Sequence, residues 1–174
     1  MKIFLVGYMG CGKTTLGRPL ARRLGMRFVD MDGYLVDRCG RTIPEIFESE
    51  GETGFRERER EVLDELMEME GDAVISTGGG APCFFDNMAR MNACGTTVYL
   101  RVSPEGLAAR LRDGRDKRPL LRGKDDVQLL AHIRETLRER EVFYGQARMA
   151  VDCDGFGDAE IVSRLAERLA GDGK

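Results

Sequence analysis

Gly7-Tyr8-Met9-Gly10-Cys11-Gly12-Lys13-Thr14 fits G-x-x-x-x-G-K-[ST], a loop whose backbone N–H groups cradle phosphates. Such a loop works only between a strand and a helix, and both are written around it. Ile3-Phe4-Leu5-Val6 has strand character. Leu16, Leu20, Ala21 and Leu24 recur at helical spacing, with Gly25 closing the helix as a C-cap. The glycines let N–H groups turn inward, and the helix N-terminus adds its positive dipole end. In that frame Lys13 reaches the β- and γ-phosphates and the Thr14 hydroxyl holds Mg²⁺. A nucleotide phosphate site is therefore expected along Gly10, Cys11, Gly12, Lys13, Thr14 and Thr15.

Strand-like segments at 3–6, 27–30, 73–76, 97–101 and 149–152 alternate with helical patterns. That alternation predicts an α/β fold with a parallel sheet covered by helices on both faces. Ser103-Pro104-Glu105 reads as an N-cap followed by Pro at the first helical position. Two stretches fit the layered core less well. Residues 33–60 read as a charged helical insertion, and 113–125 as a basic, glycine-flanked mobile loop.

The 174 residues suffice for one domain with a full core. A net charge of −3 gives no global pull toward nucleic acid or an anionic membrane. No apolar run approaches the ~20 residues that span a bilayer, and the first residues read as a strand, not a signal peptide. The five cysteines (Cys11, Cys39, Cys83, Cys94, Cys153) are scattered and suggest reduced thiols in a cytoplasm, with no zinc pattern. Cys11 is flagged because a thiol near a helix N-terminus can be activated. His132, the one histidine, reads as structural. Arginine outnumbers lysine 22 to 5, which suits bidentate binding of anions, although genome base composition produces the same bias.

Several phosphate-loop classes are excluded. No N-K-x-D guanine motif is present, and Asp30-Met31-Asp32-Gly33 follows Thr14 by only 16 residues, too close for a GTPase switch. The strand at 73–76 runs into Thr77-Gly78, without the acid of a larger ATPase. The carboxylates must come from Asp30 and Asp32, at the tip of the second strand, which faces the ligand crevice in such sheets. An extended strand end would aim one at the Mg²⁺ shell and the other at a substrate hydroxyl. The alternative is that one of the two acids is a helix N-cap, a role open to Asp32.

Three further features bear on the acceptor. In a helix over 126–148, Leu130, Ile133, Leu137, Arg140 and Tyr144 share one stripe, so Arg140 points inward and needs an anion, internal or bound. Arg56 leans inward on the row of Leu63 and Met67, with Glu59 placed to hold it at i+3. Gly78-Gly79-Gly80 directly after a strand allows close approach to the backbone, or is a flexible turn.

Taken in order, these motifs resemble those of shikimate kinases. Phe28-Val29-Asp30-Met31-Asp32 resembles F-x-D-x-D, Phe55-Arg56-Glu57-Arg58-Glu59 resembles F-R-x-x-E, and Thr77-Gly78-Gly79-Gly80-Ala81 resembles the triple-glycine turn. Arg118-Pro119-Leu120-Leu121 resembles a lid R-P-L, and Arg140 with Tyr144 the C-terminal R-x-x-x-Y. The resemblance implies a P-loop kinase three-layer sandwich with a five-stranded parallel sheet. A substrate-binding subdomain (about 32–60) and a mobile lid (about 112–125) would complete this single domain. It implies transfer of phosphate from ATP, with Mg²⁺, to the shikimate 3-hydroxyl, on the route to chorismate and the aromatic amino acids, by a cytoplasmic monomer. By the same resemblance, Asp32 binds the ring hydroxyls and orients the attacking one. Asp30 reaches Mg²⁺ through water. Arg56 and Arg140 clamp the carboxylate, Gly78, Gly79 and Gly80 offer backbone contacts, and Phe47 and Phe55 wall the ring. Arg118 descends with the lid onto the phosphoryl group, and Arg110 stacks on adenine, with Arg112 competing. Val142 stands where many relatives have proline, and Cys11 where small residues are common, an expectation of thiol sensitivity. Two readings compete: another kinase of this fold, acting on gluconate or a nucleoside monophosphate, and a non-catalytic nucleotide-binding module.

Overall fold

The computed structural model describes residues 1–113, 121 and 123–171. Five strands form one wholly parallel sheet: β1 (Lys2–Val6), β2 (Arg27–Asp30), β3 (Ala73–Ser76), β4 (Thr96–Arg101) and β5 (Met149–Asp152), in the order β2-β3-β1-β4-β5. The order reverses at β1, so the chain leaves that strand with β3 on one side and β4 on the other. The crevice beyond the strand C-termini opens at such a reversal.

Alternation along the central strand sorts the core into two layers. Ile3 and Leu5 pack with Leu16, Leu20, Leu107, Leu111, Ile133 and Leu165, on the side of α1 (Lys13–Leu24), α5 (Pro104–Leu111), α6 (Asp126–Tyr144) and α7 (Asp158–Gly171). Phe4 and Val6 pack with Met31, Leu35, Phe55, Leu63 and Met91, on the side of α2 (Met31–Cys39), α3 (Ile43–Glu68) and α4 (Asn87–Cys94). Strands buried on both faces explain the unbroken apolar runs. The α1 packing depends on Gly17, where a methyl group would lie 2.6 Å from the Phe28 ring.

Local chemistry sets the helix ends. Gly25 caps α1 in the left-handed conformation, its N–H directed to the carbonyls of Ala21 and Arg22. Ser103 caps α5 by accepting from the Gly106 N–H, with Pro104 at the first position. Thr42 and Glu45 form a reciprocal capping box on α3. The stretch expected as an insertion at 33–60 falls within α2 and α3, which together extend beyond it at both ends, to Met31 and Glu68; they are separated at Gly40 (φ 62°), and α3 is kinked at Gly51 (φ 69°).

Two expectations shift. The helix expected over 126–148 ends at Tyr144, because residues 149–152 must leave it to join the sheet. Its inward stripe begins at Leu129, which is buried, and not at Leu130, which is only half-buried. Leu129, Ile133, Leu137, Arg140 and Tyr144 then follow steps of four, four, three and four, which keep to one helical face.

Candidate active site

The phosphate loop closes the end of β1. Gly7, Gly10 and Gly12 all have positive φ (140°, 78° and 101°), conformations that L side chains rarely adopt. Gly12 is the N-cap of α1 and supplies no side-chain cap, leaving the first-turn N–H groups to an anion. Lys13 is buried, and its ammonium donates to the carbonyls of Gly7 (2.7 Å) and Tyr8 (3.0 Å). Cys11 is also buried, its sulfur 3.7 Å from Lys13 Nζ, so the expected thiol sensitivity meets a side chain that solvent does not reach. Thr15 is exposed. Arg110 donates to the Cys11 carbonyl at 3.0 Å, beside the loop, whereas Arg112 points to Asp126 at 3.4 Å on the surface. Of the two candidates, Arg110 is thus the one at the phosphate loop.

Parallel register brings the acids to the loop. Asp30 on β2 pairs with Ser76 on β3, and Ser76 pairs with Leu5 on β1. The Thr14 hydroxyl donates to Asp30 Oδ2 (2.7 Å) and lies 3.3 Å from Ser76 Oγ. Asp30 Oδ1 accepts from the Gly33 N–H and caps α2. The helix cap is therefore Asp30, not Asp32. Asp32 is in the first turn of α2, not on an extended strand end, because the chain turns helical directly after Asp30. Burial, and then the neighbouring Asp30 charge, push the Asp32 carboxyl above its ordinary range, with Lys13 and Arg56 opposing.

The oxygens of Thr14, Asp30 and Ser76 are hard donors of the kind Mg²⁺ takes with waters and phosphates, so these residues fit that ion. Among the described residues no cluster of three His, Cys, Asp or Glu forms a separate metal cage.

Arg56 is 8% exposed and Glu59 1%, and they pair at 2.6 Å. A second acid, Glu52, lies 3.5 Å from Arg56 Nη2. Burial pushes the Glu59 carboxyl up, against the pull of Arg56. Phe84 and Phe55 flank the Arg56 guanidinium at 4.1 and 4.9 Å, and its buried Nε has no partner among the described residues. Phe47 stacks on Phe55 at 4.5 Å between centroids. Arg140 lies 5.5 Å from the Tyr8 ring and beside the Tyr144 hydroxyl; among the described residues it forms no direct ion pair, and the Glu59 charge reaches it only at longer range.

The triple-glycine turn joins these groups. A methyl group on Gly78 would lie 2.4 Å from Glu59 Oε1 and 3.0 Å from Asp32 Oδ1. One on Gly79 would lie 3.1 Å from the Met9 nitrogen, and one on Gly80 2.6 Å from Arg56 Nη2. The closely approaching groups seen at these glycines are the protein's own acids, arginine and phosphate loop. Of the expected lid, residues 114–120 and 122 lie outside the described residues, and the expected Arg118 with them. Ser76, Tyr8 and Phe84 were not singled out from sequence. Their signals are register against Asp30, a variable loop position, and a Phe-Phe pair shortly after the glycines.

A phosphate loop on a parallel sheet, with acids and a buried arginine beside it, defines a P-loop small-molecule kinase. The family model "Shikimate kinase" matches residues 9–170. A shikimate kinase of Bacteroides thetaiotaomicron is 47% identical over 169 residues, covering 97% of this chain and 96% of that protein. The chain belongs to the shikimate kinase family. Among solved structures, a B. thetaiotaomicron shikimate kinase superposes with TM-score 0.91 at 47% identity, covering 98% of each chain. Shikimate kinase from Acinetobacter baumannii, in complex with shikimate, gives TM-score 0.87 at 37% identity, covering 99% of this chain and 94% of that one.

Proposed function

We propose that this chain transfers the γ-phosphoryl group of ATP to the 3-hydroxyl of shikimate, in the synthesis of chorismate and the aromatic amino acids. The observation that carries this reading is the acceptor side of the phosphate loop. There, Arg56 and Asp32 pack against the triple-glycine turn, and a second inward arginine, Arg140, lies at the Tyr8 ring with no direct ion pair among the described residues.

The roles follow from chemistry. Phosphoryl transfer needs positioning and charge stabilisation more than covalent help. Lys13 exchanges the Gly7 and Tyr8 carbonyls for phosphate oxygens, and the α1 N–H groups take the remaining ones. Thr14 and Asp30 would hold Mg²⁺, which would supply positive charge against the phosphate oxygens. Asp32, with its raised pKa, accepts and orients the proton of the attacking hydroxyl. Arg56 and Arg140 clamp the carboxylate, the glycine turn offers N–H groups, and Phe47 and Phe55 wall the ring. Arg110 lies against adenine, and Arg118 comes from the lid onto the transferring group. Residues 32–60 and 112–125 are read as the acceptor-binding and lid segments of one domain. The chain is read as a monomer. Five free cysteines suit a reducing cytoplasm, and among the described residues no helix is long and apolar enough to cross a membrane.

A coupled assay of ADP release with ATP and Mg²⁺ tests the reading, with shikimate, gluconate, AMP, CMP or no acceptor. Release with shikimate alone is expected. Release with another acceptor overturns the substrate, and ATP binding without release points to a non-catalytic module.

A further inference from the structure

Tyr144 is fully buried at the end of α6, and its hydroxyl donates to the Gly79 carbonyl at 2.5 Å. Packing alone does not call for that hydroxyl, since phenylalanine would fill the same space. A buried hydroxyl is tolerated only when bonded, and here its acceptor is the central carbonyl of the glycine turn. The Gly79 carbonyl and the Gly80 N–H belong to one peptide unit. No cis peptide occurs in the described chain, so the two groups point in opposite directions. Fixing the carbonyl toward Tyr144 therefore fixes the Gly80 N–H away from it. That N–H has no hydrogen-bond partner among the described residues. Gly80 packs against the Arg56 guanidinium, so this free donor lies beside the proposed carboxylate clamp.

Three glycines in a row let a peptide plane rotate more freely than any other sequence would. Gly79 already leans on the phosphate loop at Met9, and Tyr144 holds the same peptide from the end of α6. We propose that Tyr144 is a positioning residue for the acceptor. Its hydroxyl locks the Gly79–Gly80 peptide in the one orientation that presents the Gly80 N–H to the substrate, and it ties α6, which also carries Arg140, to the phosphate loop. The proposal rests on the reading of this site as the shikimate site. Burial pushes the phenol well above its ordinary pKa, so it remains a donor throughout the working pH range.

Steady-state kinetics of wild type, Tyr144→Phe and Tyr144→Leu test it, with ATP and shikimate varied separately. Tyr144→Phe keeps the ring and removes the hydroxyl, with its bond to the Gly79 carbonyl and its contact with the Arg140 guanidinium. Its KM for shikimate should rise about 5- to 20-fold, the effect of one lost hydrogen bond, with KM for ATP within about twofold of wild type. Equal rises in both KM values, or an unchanged KM for shikimate beside a crippled Tyr144→Leu, would show that Tyr144 only fills space and would overturn the proposal. A wild-type chain inert toward shikimate overturns the substrate reading and this one together. An active wild type with an unaltered Tyr144→Phe overturns this one alone.

Discussion

Arg56 and Glu59, three residues apart on α3, form an ion pair of 2.6 Å that is almost wholly removed from water. Truncating one partner of such a pair strands the other, at about 3–5 kcal/mol. Arg56→Ala should therefore lower the melting temperature as well as shikimate turnover. The double variant Arg56→Met, Glu59→Leu removes both charges and should recover most of the stability while turnover stays lost. Thermal melts and the coupled assay on both proteins check this. Recovered turnover in the double variant would remove Arg56 from the acceptor site.

Asp32 and Glu59 both have pKa values raised chiefly by burial, and this sets a pH dependence. The folded state holds these protons more tightly than the unfolded chain does. Their contribution is therefore most favourable below the ordinary carboxylate range and is lost as pH rises from about 4 through the raised folded values. Asp32→Asn cannot ionise and escapes that loss. Without nucleotide, it should melt above wild type at neutral pH and close to wild type near pH 4. Phosphoryl transfer should be nearly abolished while ATP binding remains. Melts across pH, with nucleotide titrations, check both parts, and a gap that does not vary with pH would contradict this account of Asp32.

What was legible in the sequence is what neighbours along the chain decide. The strands, the phosphate loop, the Gly25 and Ser103 caps and the inward lean of Arg56 all follow from residues within a few positions of each other. Which of two acids caps α2 was not legible, because it depends on the residue at which β2 gives way to helix. Sequence alone does not separate Leu130 from Leu129 for a similar reason, since one residue of register rotates a helical stripe by 100°. Ser76 against Thr14, Phe84 against Arg56 and Tyr144 against Gly79 are set by sheet register and helix packing across long stretches of chain, which no local pattern encodes.

The glycine turn should be intolerant of single methyl groups in distinguishable ways. Gly80→Ala places a carbon 2.6 Å from Arg56 Nη2 and 2.7 Å from Nη1, so the guanidinium must move. The KM for shikimate should rise about tenfold or more, equivalent to at least ~1.4 kcal/mol, with KM for ATP unchanged. Gly78→Ala drives instead at Glu59 and Asp32 and should lower kcat as well. Gly157→Ala, where a methyl group meets nothing within 4 Å, is the control and should behave as wild type. Equal kinetics for all three variants would show that the turn does not shape the acceptor site.

Asp30 has two functions that substitution can separate. One carboxylate oxygen caps α2 through the Gly33 N–H and the other accepts from Thr14, in the set of oxygens proposed to meet Mg²⁺. Asparagine caps a helix about as well as aspartate, but it carries no charge. Asp30→Asn should hold the wild-type melting temperature within a degree or two while requiring at least several-fold more Mg²⁺ for half-maximal rate. Asp30→Ala loses the cap as well, at about 1 kcal/mol, and should show both defects. Melting temperatures of the free proteins and Mg²⁺ titrations of the rate distinguish the two effects. A normal Mg²⁺ requirement in Asp30→Asn would leave Asp30 as a helix cap alone and shift the metal-facing role to Thr14 and Ser76, whose hydroxyls lie on the same side of the loop.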